Sequence, residues 1–402
     1  MPRRSLLLFA AAFLLGLARL HAIGVTPITA PAGAGAMGAS LATAPDGTVF
    51  LSWLEPVGAD AYALKFSRFD AAQNSWADAH LIAQGKDWMV NWADFPVLSA
   101  QANGRLTAVW SMNAASGGAA GHHGGTYHPE FSVSRDGGDT WSAPRRVTAQ
   151  SESVEFVALQ PTADGRVLAL WLDSRNRATN GDRQSLYANF IGSDSPDTLV
   201  DDAVCDCCQI TTAATADGVI AAYRGRTTDE MRDIRLVEYR NSQWTKPRPL
   251  HADRWNITGC PVNGPQLFSR GAQVAATWFT AARSQPRVFT KISADGGETF
   301  GPPLRIDLGK PQGRVDNLLL ADGTAVITWL ETGATDGKGG GIYLRTLSPA
   351  GQLAEPLLLA AATDSRAGGF PRSSVLDAKR VLLVYTLEAE PSRIVTLLVT
   401  LE

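Results

Sequence analysis

A short apolar strand that follows an Asp-Gly-type turn and ends in an aromatic residue recurs seven times in this chain, and no other feature narrows the fold as far. The copies are DGTVFLSW ending at Trp53, NGRLTAVW at Trp110, DGRVLALW at Trp171, DGVIAAY at Tyr223, RGAQVAATW at Trp278, DGTAVITW at Trp329 and DAKRVLLVY at Tyr385. The aromatics stand 51 to 61 residues apart. Self-similarity at such a period marks a repeat architecture, in which each unit buries its apolar face against its neighbours.

Every unit shows the same parts. One strand leads into the turn, as in FPVLSAQANG and RVDNLLLADG, and the turn residues supply the positive-φ positions that a tight hairpin needs. The aromatic-ended strand follows. A third strand comes after a variable loop, as in EFSVSRD, DIRLVEY and RVFTKIS, and a short fourth segment closes the unit, as in RRVTA and LRIDL. Four antiparallel strands per unit make a propeller blade. The last unit stops at its third strand, RIVTLLVTLE, and IGVTPITA at residues 23 to 30 is the candidate for the missing fourth. Joining the two termini in one blade closes the ring and hides sheet edges. The expected fold is all-β: one β-propeller domain over residues 23–402 with seven four-stranded blades. Six or eight blades are the alternatives if a unit is degenerate, and a β-sandwich pair or β-solenoid the alternative folds.

Residues 1–22 read as a cleavable signal peptide. Arg3 and Arg4 precede an apolar run from Leu6 to Leu17, and Ala22 is a small residue suited to cleavage. The run is short for a membrane span, no cysteine follows it to carry a lipid, and no later segment is apolar enough to span. The expected location is a periplasm or the outside of the cell, where cysteines can oxidise. The net charge is -3 and no Lys/Arg block stands out, which argues against nucleic acid or an anionic membrane as partner.

Two turns carry a sharper pattern. Ser134 to Trp141 reads SRDGGDTW and Ser293 to Phe300 reads SADGGETF, both S-x-D-x-G-x-T-W/F. The Asp is suited to accept hydrogen bonds from turn amides and the Gly to take a positive φ. Both fall after a third strand, away from the loops that lead into the inner strands, so the expectation for them is structural. These motifs resemble the Asp-box (BNR) repeats of the sialidase (neuraminidase) superfamily. The resemblance implies a secreted propeller, either an exo-α-sialidase-like glycosidase or a binder of anionic, sialic-acid-type glycans. It also implies three Arg for the sugar carboxylate, an Asp as acid/base and a Tyr nucleophile paired with a Glu, an exception to the usual two-carboxylate scheme. Asp94 and Glu155 stand for the acid/base and the partner of the Tyr. The chain departs from the family in three ways: no Arg-Ile-Pro-type motif precedes Asp94, no Tyr is clearly placed, and seven units sit poorly with six-bladed sialidases.

Loops entering the inner strand and loops between second and third strands share one end of a propeller. At that mouth the sequence gathers Arg175, Arg224, Arg283, Arg314 and Arg372, candidate ligands for a carboxylate, sulfate or phosphate, or else partners of rim acids such as Asp173 and Asp316. All four cysteines also fall there, Cys205, Cys207 and Cys208 in one loop and Cys260 in the next. Their expected state is one or two disulfides, with a soft-metal site for copper or zinc as the alternative, joined by His122, His123 or His128 across the channel. A redox-active pair is a third option. The second functional reading is accordingly a non-catalytic propeller whose cysteine-rich mouth holds a metal or a protein partner.

Overall fold

The computed structural model describes residues 23–113, 126–151, 153–335 and 338–401. The expected signal peptide and His122 and His123 lie outside the described residues. The chain forms seven antiparallel sheets, each of the pattern inner, second, third and outer strand. Among the described residues only two three-residue 3-10 turns interrupt the strands, and no helix is long and apolar enough to cross a membrane.

The blades follow one another in sequence. Their inner strands are Met37–Thr43, Val97–Ala100, Val154–Pro161, Thr211–Thr215, Gln266–Arg270, Pro311–Leu319 and Arg372–Val375, for blades 1 to 7. Each inner strand packs against that of the next blade, and that of blade 7 packs back against that of blade 1. The molecule is a seven-bladed β-propeller. The closure is the expected one: Ile23–Ile28 pairs antiparallel with Arg393–Leu401 and completes blade 7.

The repeat aromatics make the blade cores. Trp53, Trp171, Tyr223, Trp278 and Trp329 are fully buried, and Trp110 and Tyr385 nearly so. Burying an indole leaves one N–H to satisfy. In three blades a carboxylate two residues later accepts it: Glu55 from Trp53 at 3.0 Å, Asp173 from Trp171 at 2.9 Å and Glu331 from Trp329 at 2.6 Å. Tyr223 instead donates to Asp201 at 2.8 Å, and burial raises its pKa.

The two S-x-D-x-G-x-T turns lie at the end opposite the mouth. Ser134 Oγ donates to Asp136 at 2.7 Å and accepts from Gly138 N at 2.8 Å, and Asp136 accepts from Thr140 N at 3.0 Å and Thr140 Oγ1 at 2.5 Å. The second turn repeats this set through Ser293, Asp295 and Thr299. Gly137 N reaches Gly104 O, which ties the turn to the first hairpin of its own blade. The aromatic does not stay on its own blade: Trp141 packs edge-on against Phe66 of blade 1, ring centroids 6.0 Å apart.

Candidate metal centre at the propeller mouth

The cysteine loops connect blade 3 to blade 4 and blade 4 to blade 5, so the fold sets them side by side. Val204 ends the outer strand of blade 3, Cys205 N bonds Arg224 O of blade 4, and Cys205, Cys207 and Cys208 turn inward and are buried. Cys205 Sγ lies 3.9 Å from Cys207 Sγ and 3.7 Å from Cys208 Sγ, and the three sulfurs all fall within 4.8 Å of one another. Cys260, half-buried, touches Cys207. The expected disulfides are not formed in the structure: all four cysteines are free, and the Cys205 separations are well beyond the roughly 2.05 Å of a bond. Among the described residues no histidine joins the group. His128 sits in the third strand of blade 2, 3.9 Å from Glu130.

Arginines surround the thiols. Arg232 Nη1 approaches Cys205 Sγ at 3.3 Å, while its other nitrogens hold Glu230. Burial alone pushes the Cys208 thiol up, but hydrogen bonds with Cys205 and Cys207, the Arg224 charge and the Asn263 N–H together hold it well below the usual thiol range. The contacts with Cys205, Cys208 and Cys260, with burial added, push Cys207 up.

Backbone strain gathers around the same spot. Phe156, Val262 and Arg314 have φ of 56°, 48° and 53°, although none is glycine. Such conformations cost on the order of 1–3 kcal/mol each and persist only where the surroundings fix them. Phe156 and Val262 belong to the apolar cluster that contains the three buried cysteines. Arg314 N is held by Asn263 Oδ1 at 2.9 Å, and its guanidinium donates to the carbonyls of Val262 and Arg366. Close approach also fixes Gly264, where a Cβ would stand 2.3 Å from Gln209 O.

Most arginines expected to bind a ligand are committed to the protein. Arg224 is fully buried and donates to the carbonyls of Arg232 at 2.7 Å, Asn263 at 2.8 Å and Phe279 at 2.9 Å, beneath the Trp255 ring. Arg314 is buried over Trp92 and Phe370, and burial lowers its pKa to about 10. Arg175 pairs with Asp173 at 2.6 Å and Asp197 at 2.8 Å. These three spend hydrogen bonds on carbonyls and carboxylates of this chain, which leaves Nε of Arg175 and Nε of Arg314 without a partner. Arg283 is exposed on the loop after the second strand of blade 5, and Arg372 lines the central channel.

The channel encloses a cavity of about 250 Å³ between the inner strands. Asp94, Asp316 and Arg372 line it; Glu155 does not, and no described tyrosine does. Asp94 Oδ2 accepts from Phe156 N at 3.1 Å, and burial raises its pKa to about 7. Glu155 is buried inside blade 3, where it accepts from Gln184 Nε2 at 2.8 Å. Asp94 thus faces the cavity while Glu155, next to the Phe156 that bonds Asp94, does not line it. Asp316 accepts from Ser373 N and Oγ, both at 2.6 Å. The tryptophans near Asp94 divide: Trp88 is core, stacked on Trp110, whereas Trp92 lines an off-axis groove of about 460 Å³ with Phe95 and Phe370.

No protein-family model matches the chain, and no curated protein does. Among solved structures it is similar to a protein of unknown function from Dyadobacter fermentans, with a TM-score of 0.53 and 13% identity over 94% of this chain and 99% of that one. It is also similar to a Hadza microbial sialidase, at TM-score 0.47 and 12% identity, covering 90% of this chain and 65% of that one. An α-L-arabinofuranosidase from Fusarium graminearum aligns at TM-score 0.48 and 14% identity, over 91% and 93%. At such identities the likeness concerns the fold alone.

Proposed function

We propose that this propeller is a metal-binding protein whose site is the thiol cluster at its mouth, taking a thiophilic ion, copper(I) or zinc. One observation carries the reading: three buried, unbonded thiols within 4.8 Å of one another, with a fourth against them. Thiolates about 2.3 Å from a common ion stand about 3.8 Å apart at tetrahedral angles and about 4.0 Å apart in a trigonal plane. The 3.7 and 3.9 Å separations from Cys205 match these spacings. Soft thiolate donors select copper(I) and zinc over harder ions. Arg232 on Cys205 and the Arg224 charge near Cys208 offset the negative charge that bound thiolates bring into a buried site. In this reading the chain is exported by its N-terminal leader and works in a periplasm or outside the cell, with its mouth open to a small-molecule or protein donor of metal. The test is elemental analysis with a thiol count on protein purified under reducing conditions. About one ion per chain is expected, lost when Cys207 and Cys208 are both replaced by Ser. Four cysteines consumed in disulfides, with no ion retained on reloading, would contradict the proposal.

A second reading, a glycan-acting or anion-binding propeller related to the Asp-box sialidases, is favoured by the channel. A buried carboxyl near neutral pKa, Asp94, faces the same cavity as Arg372, whose guanidinium makes one hydrogen bond, to Pro371 O at 3.1 Å. A carboxyl so tuned is suited to general acid work. Sugar release from a sialoside or an arabinofuranoside, abolished by Asp94→Asn, would establish it, and no turnover of either would remove it.

A further inference from the structure

The four cysteines are not equivalent. Cys205, Cys207 and Cys208 share one loop, are buried, and form the compact trio. Cys260 comes from the next blade connection, is half-buried, and follows the exposed residues Thr258 and Gly259. Its sulfur stands outside the trio and meets it at Cys207. Of the four thiols, Cys260 alone is not fully buried. That thiol lies beside a cation: the exposed Arg366 donates Nη2 to Cys260 O at 2.7 Å, and the carbonyl of Arg366 accepts from Arg314. Arg366 thus clamps the Cys260 loop while leaving its positive charge exposed beside it.

Building on the metal-site reading, we infer that Cys260 is the loading ligand: it takes Cu(I) from an anionic bis-thiolate complex and passes it to the trio through Cys207. The donor is drawn by the Arg366 charge. Cys260 loses its proton and bonds the ion as one donor thiolate leaves and is protonated. Cys207 replaces the second donor thiolate in the same way. Cys205 and Cys208 then bind as the bond to Cys260 breaks and that thiol regains its proton. The protons of Cys260 and Cys207 leave on the two departing donors, any proton the trio still holds passes to Cys260 or to solvent as its thiolate binds, and copper stays Cu(I) throughout. Ligand exchange of this kind needs thiolates within reach of one another, which the contact between Cys260 and Cys207 provides.

The experiment loads reduced, metal-free protein anaerobically with Cu(I) supplied as its glutathione complex, following sulfur-to-copper absorption in time and occupancy at the end. With Cys260→Ser, loading should slow on the order of tenfold while final occupancy stays near one ion per chain. Arg366→Gln should slow it less, with the salt dependence of the rate weakened. Cys260→Ala, which also removes the hydroxyl, should behave as the Ser variant. Wild-type loading rates in both Cys260 variants would overturn the inference and leave the metal site standing. Loss of occupancy in the Cys260 variants would also overturn it, making Cys260 a permanent ligand. Absence of Cu(I) uptake by the wild type would overturn both proposals.

Discussion

The cysteine loops at the mouth and the two S-x-D-x-G-x-T turns at the opposite end are the two most patterned regions of the chain, and they satisfy their polar groups in contrasting ways. In the turns each Asp, Ser and Thr finds its partner within a few residues, and one glycine of each lies against the preceding blade, Gly138 on Phe66 and Gly297 on Ile220. The mouth is the reverse. Its thiols are buried, they contact mainly one another, three non-glycine residues nearby hold positive φ, and the arginines around them come from other elements. The difference teaches that the recognisable motif here marks hairpin structure and blade-to-blade packing. The site proposed for the chemistry has no familiar spacing, and its donor atoms are ones that no strand uses.

The comparison can be sharpened by asking which perturbations cross from one region to the other. The largest effect is expected at Arg224. Replacing it with Met leaves the carbonyls of Arg232, Asn263 and Phe279 buried without their donor, at a cost of about 3 kcal/mol or more. It also removes a positive charge near Cys208, so chemical denaturation should show lower stability and metal titration weaker binding in the same variant. Gly138→Ala comes next. Its Cβ would lie 2.1 Å from Phe66 Cζ at a φ of 102°, so stability should fall by about 2 kcal/mol, with metal occupancy unchanged. The smallest effect belongs to Asp136→Asn. Hydrogen bonds from Thr140 and Ser134 hold the Asp136 carboxyl at about 2, below its ordinary 3.8. A depressed carboxyl stabilises the fold above its unfolded pKa and loses that contribution as pH falls through the folded one. Urea midpoints of the wild type should therefore drop between about pH 4 and pH 2 more steeply than those of the variant. A change in metal binding with Gly138→Ala or Asp136→Asn would break the comparison.

The propeller was legible in the sequence because its signals are local: an alternating strand, a turn that needs Gly or Asp, and an aromatic at a fixed place, repeated until chance is excluded. Even the closure by residues 23–28 could be read, since one unit visibly lacked a strand. The gathering of the cysteines at one mouth followed from the same register. The roles of the arginines did not. Arg224 ends a second strand and looks aimed at the channel, but its long side chain reaches carbonyls of the next blade and of the loop before its own third strand, a matter of tertiary packing. Arg314 and Glu155 sit within inner strands beside bulges, and no glycine announces the one at Phe156. Asp173 read as a rim acid. The Trp171-Leu-Asp173 spacing, repeated at Trp53 and Trp329, was the available sign that it caps a core indole.

The central claim is that the buried trio of thiols holds a thiophilic ion. X-ray absorption at the copper and zinc edges of the reduced, loaded protein tests it most directly. The account predicts a first shell of sulfur alone, three or four atoms at about 2.3 Å. A shell of nitrogen and oxygen, or an ion whose sulfur scattering survives replacement of Cys207 and Cys208, would contradict it.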